Sequence, residues 1–507
     1  MYAQLVSIWP GVKGNIFLRN IRRQSTSASS RGDRKRNLGS RRQVFLIGLL
    51  CLTILVISQF AGCFLHASAR ENVILITIDT LRADHLGCYG YPRPTSREID
   101  ELAQKSVVFT QCISQATATS ASHASILTSL HPPAHGVIRN SLRLSPEIPS
   151  LVRLFRDGGY HTGAFVSSVV VSAQFGLNQG FQEYDDKLDS VELNRSHQTE
   201  RRADSTTKAA MQWIEEKGGE KFFLWIHYID PHGAYFPPES YRNLFVNDEW
   251  YSKGGELDVA EDDYSPNAIP AYQVLSDFRE PSYYVSQYDA EIRFVDDQVG
   301  HLLRLLERAN LMSKTIIIVT ADHGETLTER EYCFSHGTRT YDEQAHIPLI
   351  LYFPDLPPHK RIDVQVREID IMPTILDKLR IKNPFPVHGH SLMPLVRGNA
   401  DYAEKAALIF SDYGNDLYDT HLGAQRSVRT EEWKFIRNSW DGSEELYHLK
   451  NDPSERVNLA ERNPESLSKM RKLFDEWESN IKQAEILRPE LSRETIEQFE
   501  SLGYLVK

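Results

Sequence analysis

The sequence predicts an α/β protein: a mostly parallel central sheet flanked by helices, with a small C-terminal subdomain containing a short antiparallel sheet. Three observations carry this. Short apolar runs rich in β-branched residues, such as Val73–Ile78 and Thr315–Thr320, suit strands buried on both faces. From 71 to about 400 such runs alternate with helical stretches, the pattern of a parallel sheet with crossover helices. From about 401, four short strand-like runs follow one another with only turns between them, which reads as antiparallel.

Taken in order, the chain begins with a segment unlike the rest. Residues 1–43 are rich in Ser, Arg and Gly and read as a basic, disordered extension. Residues 44–69 follow Arg41-Arg42 with an apolar run (44–65) long enough to span a bilayer. The same run fits a signal peptide, with Ala67-Ser68-Ala69 as the small-residue cleavage site and Ser40-Arg41-Arg42 as a twin-arginine cue. Phe60-Ala61-Gly62-Cys63 is a poor version of a lipoprotein box. The expectation is export to the periplasm or the extracellular space, with 44–65 as signal peptide or membrane anchor. Three cysteines then remain, Cys88, Cys112 and Cys333, too few for a disulfide framework. The first 69 residues hold ten Lys or Arg against Asp33 alone, so of the net charge of −11 the remainder carries −20. So acidic a domain argues against nucleic acid as a partner.

Within 71–400, Val73–Ile78 is a strand and Thr95–Ala103 a capped helix. Leu151–Asp157 is helical, and Thr162–Ser168 is a strand after the Gly158-Gly159 break. Ser205–Glu216 is a helix, Phe222–His227 a strand, and Tyr283–Arg308 a long amphipathic helix. Thr315–Thr320 and Ile347–Tyr352 are strands. The acidic run 236–282, with Tyr, Trp and Pro interspersed, is a long loop placed as a substrate-side lid. Beyond 401, the strands are Ala407–Phe410, Ala424–Arg429, Trp433–Ile436 and Glu445–Leu449. Leu467–Gln483 and Ile496–Tyr504 are helical.

The chemistry is expected at strand ends. In open α/β sheets, ligands bind beyond the carboxyl ends of the strands. Asp79 directly follows one strand, and Asp322-His323 follow another. Two carboxylates and an imidazole at one sheet edge make a metal site. Thr119-Ser120-Ala121-Ser122-His123 is followed by ASILTS, which reads as the first turns of a helix. A hydroxyl there faces backbone N–H groups and the positive dipole end, where an anionic ester can dock.

Several stretches together resemble the sulfatase family of the alkaline-phosphatase-like superfamily. They are IDTLRADHLGCYGY, TSASHASILTS, HPPAHGV, TADHGE (320–325), FSHG (334–337) and the tail ELYHLKNDPSERVNLA (445–460), in family order. The resemblance implies an alkaline-phosphatase-like fold. It also implies an exported, metal-dependent hydrolase of sulfate or phosphate esters, with Asp79, Asp322, His323 and the nucleophile Thr119 around the metal. It places His232 (in the family's Pro-His motif) and His336 (where many members have a lysine) on the ester group. Asp230, His232 and His336 form an alternative second metal site, and His227 and Asp230 alternatively brace their loop. His123 stands where an arginine usually follows the nucleophile. His135 and Asn140 lie in HGVIRN, where His135 reads as a turn and packing residue. Asp412 and Arg426 are the C-terminal candidates for the substrate side.

The departures narrow the chemistry. Formylglycine-dependent members need Cys or Ser at the nucleophile; oxidising Thr119 would give a ketone, so that cofactor is not expected. GAFVSS (163–168) stands where a Lys and His pair usually contacts sulfate, and Thr80 replaces a second Asp. Fewer carboxylates and more imidazole favour zinc or manganese, with calcium as the alternative. The expected mechanism is attack by a metal-activated Thr119 on a metal-bound ester, with His123, His232 and His336 as the other catalytic candidates. N–H groups of a helix starting near Ser122 would stabilise the developing charge. The expected partner is a small anionic ester: a sulfated or phosphorylated sugar, an aryl ester or a lipid headgroup. The alternatives are a membrane-anchored transferase of a phosphorylated headgroup and an inactive binding protein.

Overall fold

The computed structural model describes residues 71–191, 193–194, 198–246, 255–260, 266–356, 359–399, 405–415 and 420–501. The basic extension and the signal or anchor segment lie outside these residues. Among the described residues no helix is long and apolar enough to cross a membrane.

The expected sheet is present, with nine strands. Those used below are β1 (Asn72–Ile78), β2 (Val107–Ile113), β3 (His161–Phe165), β4 (Glu183–Asp185), β5 (Phe222–Tyr228), β6 (Thr315–Ala321) and β7 (His346–Tyr352). β1 lies at the centre, parallel to β6 on one side and β5 on the other. All seven residues of each of these three strands are buried, as their unbroken apolar character predicts. β3 and β4 continue the parallel run beyond β5. On the other flank β7 runs antiparallel to both β6 and β2. β2 is the strand the alternation pattern did not flag. The run 162–168 also leaves the sheet early: its strand ends at Phe165.

Register does the positioning. Ile78 pairs with both Ala321 and Tyr228, so the next residues, Asp79, Asp322 and Ile229, emerge together at one edge. The helices include α1 (Arg97–Ala103), α2 (Thr119–Thr128) and α3 (Pro281–Arg308). α3 anchors the stretch after β1: Asp289 Oδ1 meets His85 Nδ1 at 2.7 Å, and Asp289 Oδ2 accepts from Tyr91 and Arg93. Asp296 of the same helix accepts the Glu98 and Ile99 N–H groups at the start of α1. These charged side chains face inward because each has a partner.

The C-terminal sheet is antiparallel and four-stranded, in sequence order: β8 (Ala407–Asn415), β9 (Thr420–Arg429), β10 (Trp433–Asn438) and β11 (Glu444–His448). Leu408, Phe410, Val428, Phe435 and Leu446 bury one face against Met470 and Phe474 of α4 (Pro464–Asn480). Its inner edge touches the segment before Thr119: Phe410 donates its N–H to Gln115 O, and Thr117 donates to Phe410 O. The final helix is Arg493–Ser501.

Candidate active site

Helix α2 begins at Thr119, three residues before the expected start, and every one of its residues is buried. Such polar residues tolerate burial only if each is satisfied. Ser122 Oγ lies 2.8 Å from both Asp322 O and Glu368 Oε2, Ser125 Oγ meets His135 Nε2 at 3.0 Å, and Thr128 donates to Ala124 O. Glu368 Oε2 accepts from the hydroxyls of Ser122 and Ser114, and burial pushes its carboxyl well above the usual range. Helix α2 is thereby tied to the loop after β6, which carries Asp322.

Thr119 Oγ1 lies 3.4 Å from Asp79 Oδ2 and 3.3 Å from His323 Nε2. His323 Nε2 is 3.8 Å from Asp79 Oδ1 and 3.5 Å from Asp322 Oδ2. Asp322 Oδ1 is committed to the N–H groups of Thr80 and His323. Thr80 has φ +52°, a rare conformation for a β-branched residue, and it aims that N–H at Asp322. The four residues expected around a metal therefore converge, all completely buried.

Hydrogen bonds decide which imidazoles have a lone pair to offer. His323 Nδ1 sits 2.9 Å from Gly324 O, an acceptor only, so Nδ1 carries the proton and Nε2 faces the carboxylates bare. His227 is the reverse. Its Nδ1 accepts the Ser167 N–H, so the neutral ring has its proton on Nε2, 3.5 Å from Asp79 Oδ2. His123 donates from Nδ1 to Thr119 O at 2.8 Å, while its Nε2 lies 3.0 Å from Thr77 Oγ1. His123, His227 and Asp322 have atoms close enough to hold a cation, as do Asp79, Asp322 and His323. In the first group neutral His227 presents its N–H, whereas in the second His323 presents a bare nitrogen. Asp79 Oδ1 and Asp322 Oδ2 are also buried without a hydrogen-bond partner among the described residues. Orphaned carboxylate oxygens beside a bare imidazole nitrogen fit a divalent cation.

Burial lowers His123 to about 3 and His227 to about 4. Both rings are therefore neutral at ordinary pH. With both nitrogens of His123 committed away from the Thr119 hydroxyl, the ring fixes the first turn of α2. His123→Ala is expected to lower unfolding stability by about 3 kcal/mol, from the lost packing and two broken hydrogen bonds. A urea titration measures it.

His232 and His336 lie next to His323 in a chain of imidazole rings. Their rings lie 4.9 Å apart, and His336 lies 4.7 Å from His323. His232 Nδ1 donates to Gly233 O at 2.8 Å, and His336 Nδ1 meets Glu325 Oε2 at 3.0 Å. Gly233 is required at its position, because a Cβ there would lie 1.8 Å from Gln273 Nε2. Gln273 and Tyr272 both donate to Phe334 O, so these two residues dock onto the stretch leading to His336. Asp230 lies apart from this group, accepting the Ala203 N–H at 2.9 Å. Asp412 faces Arg139 at 3.4 Å, whereas Arg426 is engaged by Glu478. Asn140 accepts the Ser120 N–H just after the nucleophile.

Glu325 was not singled out from the sequence. It is completely buried and one oxygen, Oε1, has no partner among the described residues. Its signal was the acid at the end of TADHGE. Desolvation raises Asp79 to about 7 and Glu325 to about 8. The sign follows. Both groups hold protons in the folded chain that the unfolded chain has released, so the metal-free protein loses stability as pH rises from about 4 to about 8. A bound cation favours the ionised carboxylates. Divalent metal is therefore expected to raise the melting temperature more at pH 8 than at pH 5.5. Thermal melts with and without chelator at both pH values check this; an equal shift at both would contradict it.

A threonine hydroxyl on a helix at the carboxyl edge of a parallel sheet, beside two carboxylates and an imidazole, defines a hydrolase of anionic esters with room for a metal. Comparison with known proteins is specific. The sulfatase family model matches residues 71–381, and the model of the N-sulphoglucosamine sulphohydrolase C-terminal region matches 331–483. A delta 4,5-hexuronate-2-O-sulfatase of Bacteroides thetaiotaomicron is 24% identical, over 82% of this chain and 90% of that one. An arylsulfatase of Clostridium perfringens is 24% identical, over 80% of this chain and 94% of that one. The fold is also that of the phosphonate monoester hydrolase of Agrobacterium radiobacter, with TM-score 0.66, 20% identity, and 81% of this chain and 96% of that chain covered. A protein solved with its substrate D-glucosamine-2-N,6-O-disulfate gives TM-score 0.68 at 20% identity, covering 81% of this chain and 98% of that one. The chain belongs to the sulfatase family, and it is a sulfuric or phosphoric ester hydrolase.

Proposed function

We propose that this chain is an exported, metal-dependent hydrolase of sulfate or phosphate monoesters on sugars, with unmodified Thr119 as its nucleophile. One observation carries the reading: the Thr119 hydroxyl lies within 3.4 Å of both Asp79 and His323, beside orphaned carboxylate oxygens. The sugar comes from the relatives, whose names include a hexuronate 2-O-sulfatase and an N-acetylglucosamine-6-O-sulfatase. Export rests on the apolar run 44–65 behind its basic flank, and sequencing the N-terminus of the mature protein tests it.

Asp79, Asp322, His323 and the Thr119 oxygen are the residues that would hold the cation. One nitrogen donor among oxygens suits zinc or manganese better than calcium. When bound, the cation polarises the ester and favours ionisation of the hydroxyl. The chain's own residues do the rest. Thr119 Oγ1 forms a bond to sulfur or phosphorus as the bond to the leaving oxygen breaks. Asp79 Oδ2 is the nearest carboxylate to take the hydroxyl proton. His232 and His336 hold and protonate the leaving alkoxide. Water then cleaves the Thr119 ester, releasing sulfate or phosphate and restoring the hydroxyl. Burial excludes bulk water from Thr119, so the hydrogen bonds act at low dielectric.

The test uses the purified protein on aryl sulfate, aryl phosphate monoester and aryl phosphodiester. Zinc, manganese or calcium is restored after chelation. Metal-dependent turnover of a monoester supports the reading. Turnover that survives exhaustive chelation overturns its metal dependence, and silence on every ester leaves a binding protein.

A further inference from the structure

After β6 the chain folds back on itself and sets an acid opposite an imidazole. Thr326 and Ser335 exchange both backbone hydrogen bonds, at 3.0 and 3.1 Å, as an antiparallel pair. Glu325 and His336, one step further along each strand, are therefore the neighbouring cross-strand pair, the kind in which side chains come closest. Glu325 Oε2 lies 3.0 Å from His336 Nδ1. Glu325 is completely buried, and the His336 side chain is 6% exposed. The reaction as proposed leaves this carboxylate without a task.

Both partners are held from outside. Glu325 O accepts from Arg82 Nη1 at 3.1 Å, and Arg82 is itself paired with Asp84 and Glu329. The C-terminal sheet grips the backbone around His336. Ser411 of β8 donates to Gly337 O at 2.8 Å, and Gln425 of β9 accepts the Thr340 N–H at 2.6 Å. With the backbone fixed, the freedom left to His336 is rotation of its ring, and the bond to Glu325 removes it. His232 offers the contrast, because its Nδ1 donates to a backbone carbonyl, Gly233 O. A hydrogen bond to a carboxylate is about twice as strong as one to a neutral acceptor, so His336 is the more firmly oriented ring. Proton transfer to a departing atom needs the better-held donor.

We infer that Glu325 is the positioning residue of the leaving-group acid: it holds the Nδ1–H of His336 so that Nε2–H stays aimed at the departing oxygen, while His232 contacts the ester. As the bond from sulfur or phosphorus to the leaving oxygen breaks, the proton passes from His336 Nε2 to that oxygen, and Nδ1 keeps its proton toward Glu325. This rests on the proposed ester-hydrolase reading and deepens it. A built acid of this kind is wasted on a stable phenolate, so the natural leaving group is a basic alkoxide.

The experiment has two arms on the full chain. The first compares nitrophenyl esters, which release a stable phenolate, with phenylethyl esters, which release a basic alkoxide, each as sulfate and as phosphate. Glu325→Leu is expected to lower kcat about 100-fold on phenylethyl esters and less than about tenfold on nitrophenyl esters, with KM little changed. Glu325→Gln, whose amide oxygen still accepts from Nδ1, is expected to recover part of the loss. In a His336→Gln background, Glu325→Leu is expected to cost phenylethyl esters nothing further, because it acts through the ring. Equal losses on both leaving groups, or losses that multiply in the double variant, overturn the inference. The second arm needs no turnover. Proton NMR reads the low-field ring N–H of His336, assigned by its loss in His336→Gln. A signal present in the parent protein and lost or displaced in Glu325→Leu supports the pairing; a signal absent from the parent, or unmoved by Glu325→Leu, overturns it. Silence on every ester with a Glu325-dependent signal supports the pairing and overturns the hydrolase reading.

Discussion

Thr119→Ala is expected to reduce ester turnover by a factor on the order of 10⁴ or more, with the fold intact. The side chain stands at the first position of α2, where alanine is the best helix former. The hydroxyl makes only two long contacts, to Asp79 and His323, so its removal leaves the helix in place. Chemistry suffers because no other hydroxyl takes its position. Ser120 Oγ donates to Val170 O, and Ser122 Oγ faces Glu368 and Asp322 O. Thr119→Ser retains the oxygen and is expected to stay within about tenfold of the parent. Initial rates on the best aryl ester, with circular dichroism as the control for folding, decide it. An alanine variant with more than a tenth of parental turnover would place the nucleophile elsewhere.

Asp322→Asn should remove divalent-cation binding and lower turnover on the order of 100-fold or more. The substitution is chosen for what it spares. Asp322 Oδ1 accepts from the Thr80 and His323 N–H groups at 3.2 and 2.7 Å, and an amide oxygen can still do so. What changes is Oδ2, which has no hydrogen-bond partner among the described residues and lies 3.5 Å from His323 Nε2. An NH₂ group there presents protons where a cation needs lone pairs. The cation-induced rise in melting temperature should vanish along with turnover. Retention of one tightly bound metal per chain, by elemental analysis, would show that the cation sits elsewhere.

Much of the site was legible because parallel strands deliver their functional residues to one edge. Asp79 after VILITI and Asp322-His323 after TIIIVT needed only the strand assignment and that rule. Thr119 needed the additional recognition of a helix start. The alternation of buried strands and amphipathic helices fixed the fold class, because a period-2 or continuous apolar run and a 3.6-residue pattern bury different faces. The short antiparallel sheet after 401 was readable from its turns. The strand Val107–Ile113 was missed, with polar Thr110 and Gln111 interrupting its apolar run.

Histidine roles were not legible. His123, His227, His323 and His336 all lie near the nucleophile, and residue type alone makes each a base, an acid or a ligand. The partner of the other ring nitrogen decides between them. Gly324 O leaves His323 Nε2 bare, the Ser167 N–H leaves the proton of neutral His227 on Nε2, and Thr119 O with Thr77 locks His123 into the helix. Two of these contacts lie within four residues of the histidine, but His227 and Ser167 are sixty residues apart and His123 and Thr77 forty-six. Glu325 stayed hidden for the same reason, since an acid in a turn is ordinary until burial strips its water.

The sequence by itself determined which residues exist at the sheet edge, because strand periodicity and chain order are local properties. Only the tertiary structure decided what each one does. Protonation, lone-pair direction and the energy of an unpaired oxygen depend on neighbours brought together from distant parts of the chain, at a dielectric that only a packed interior provides.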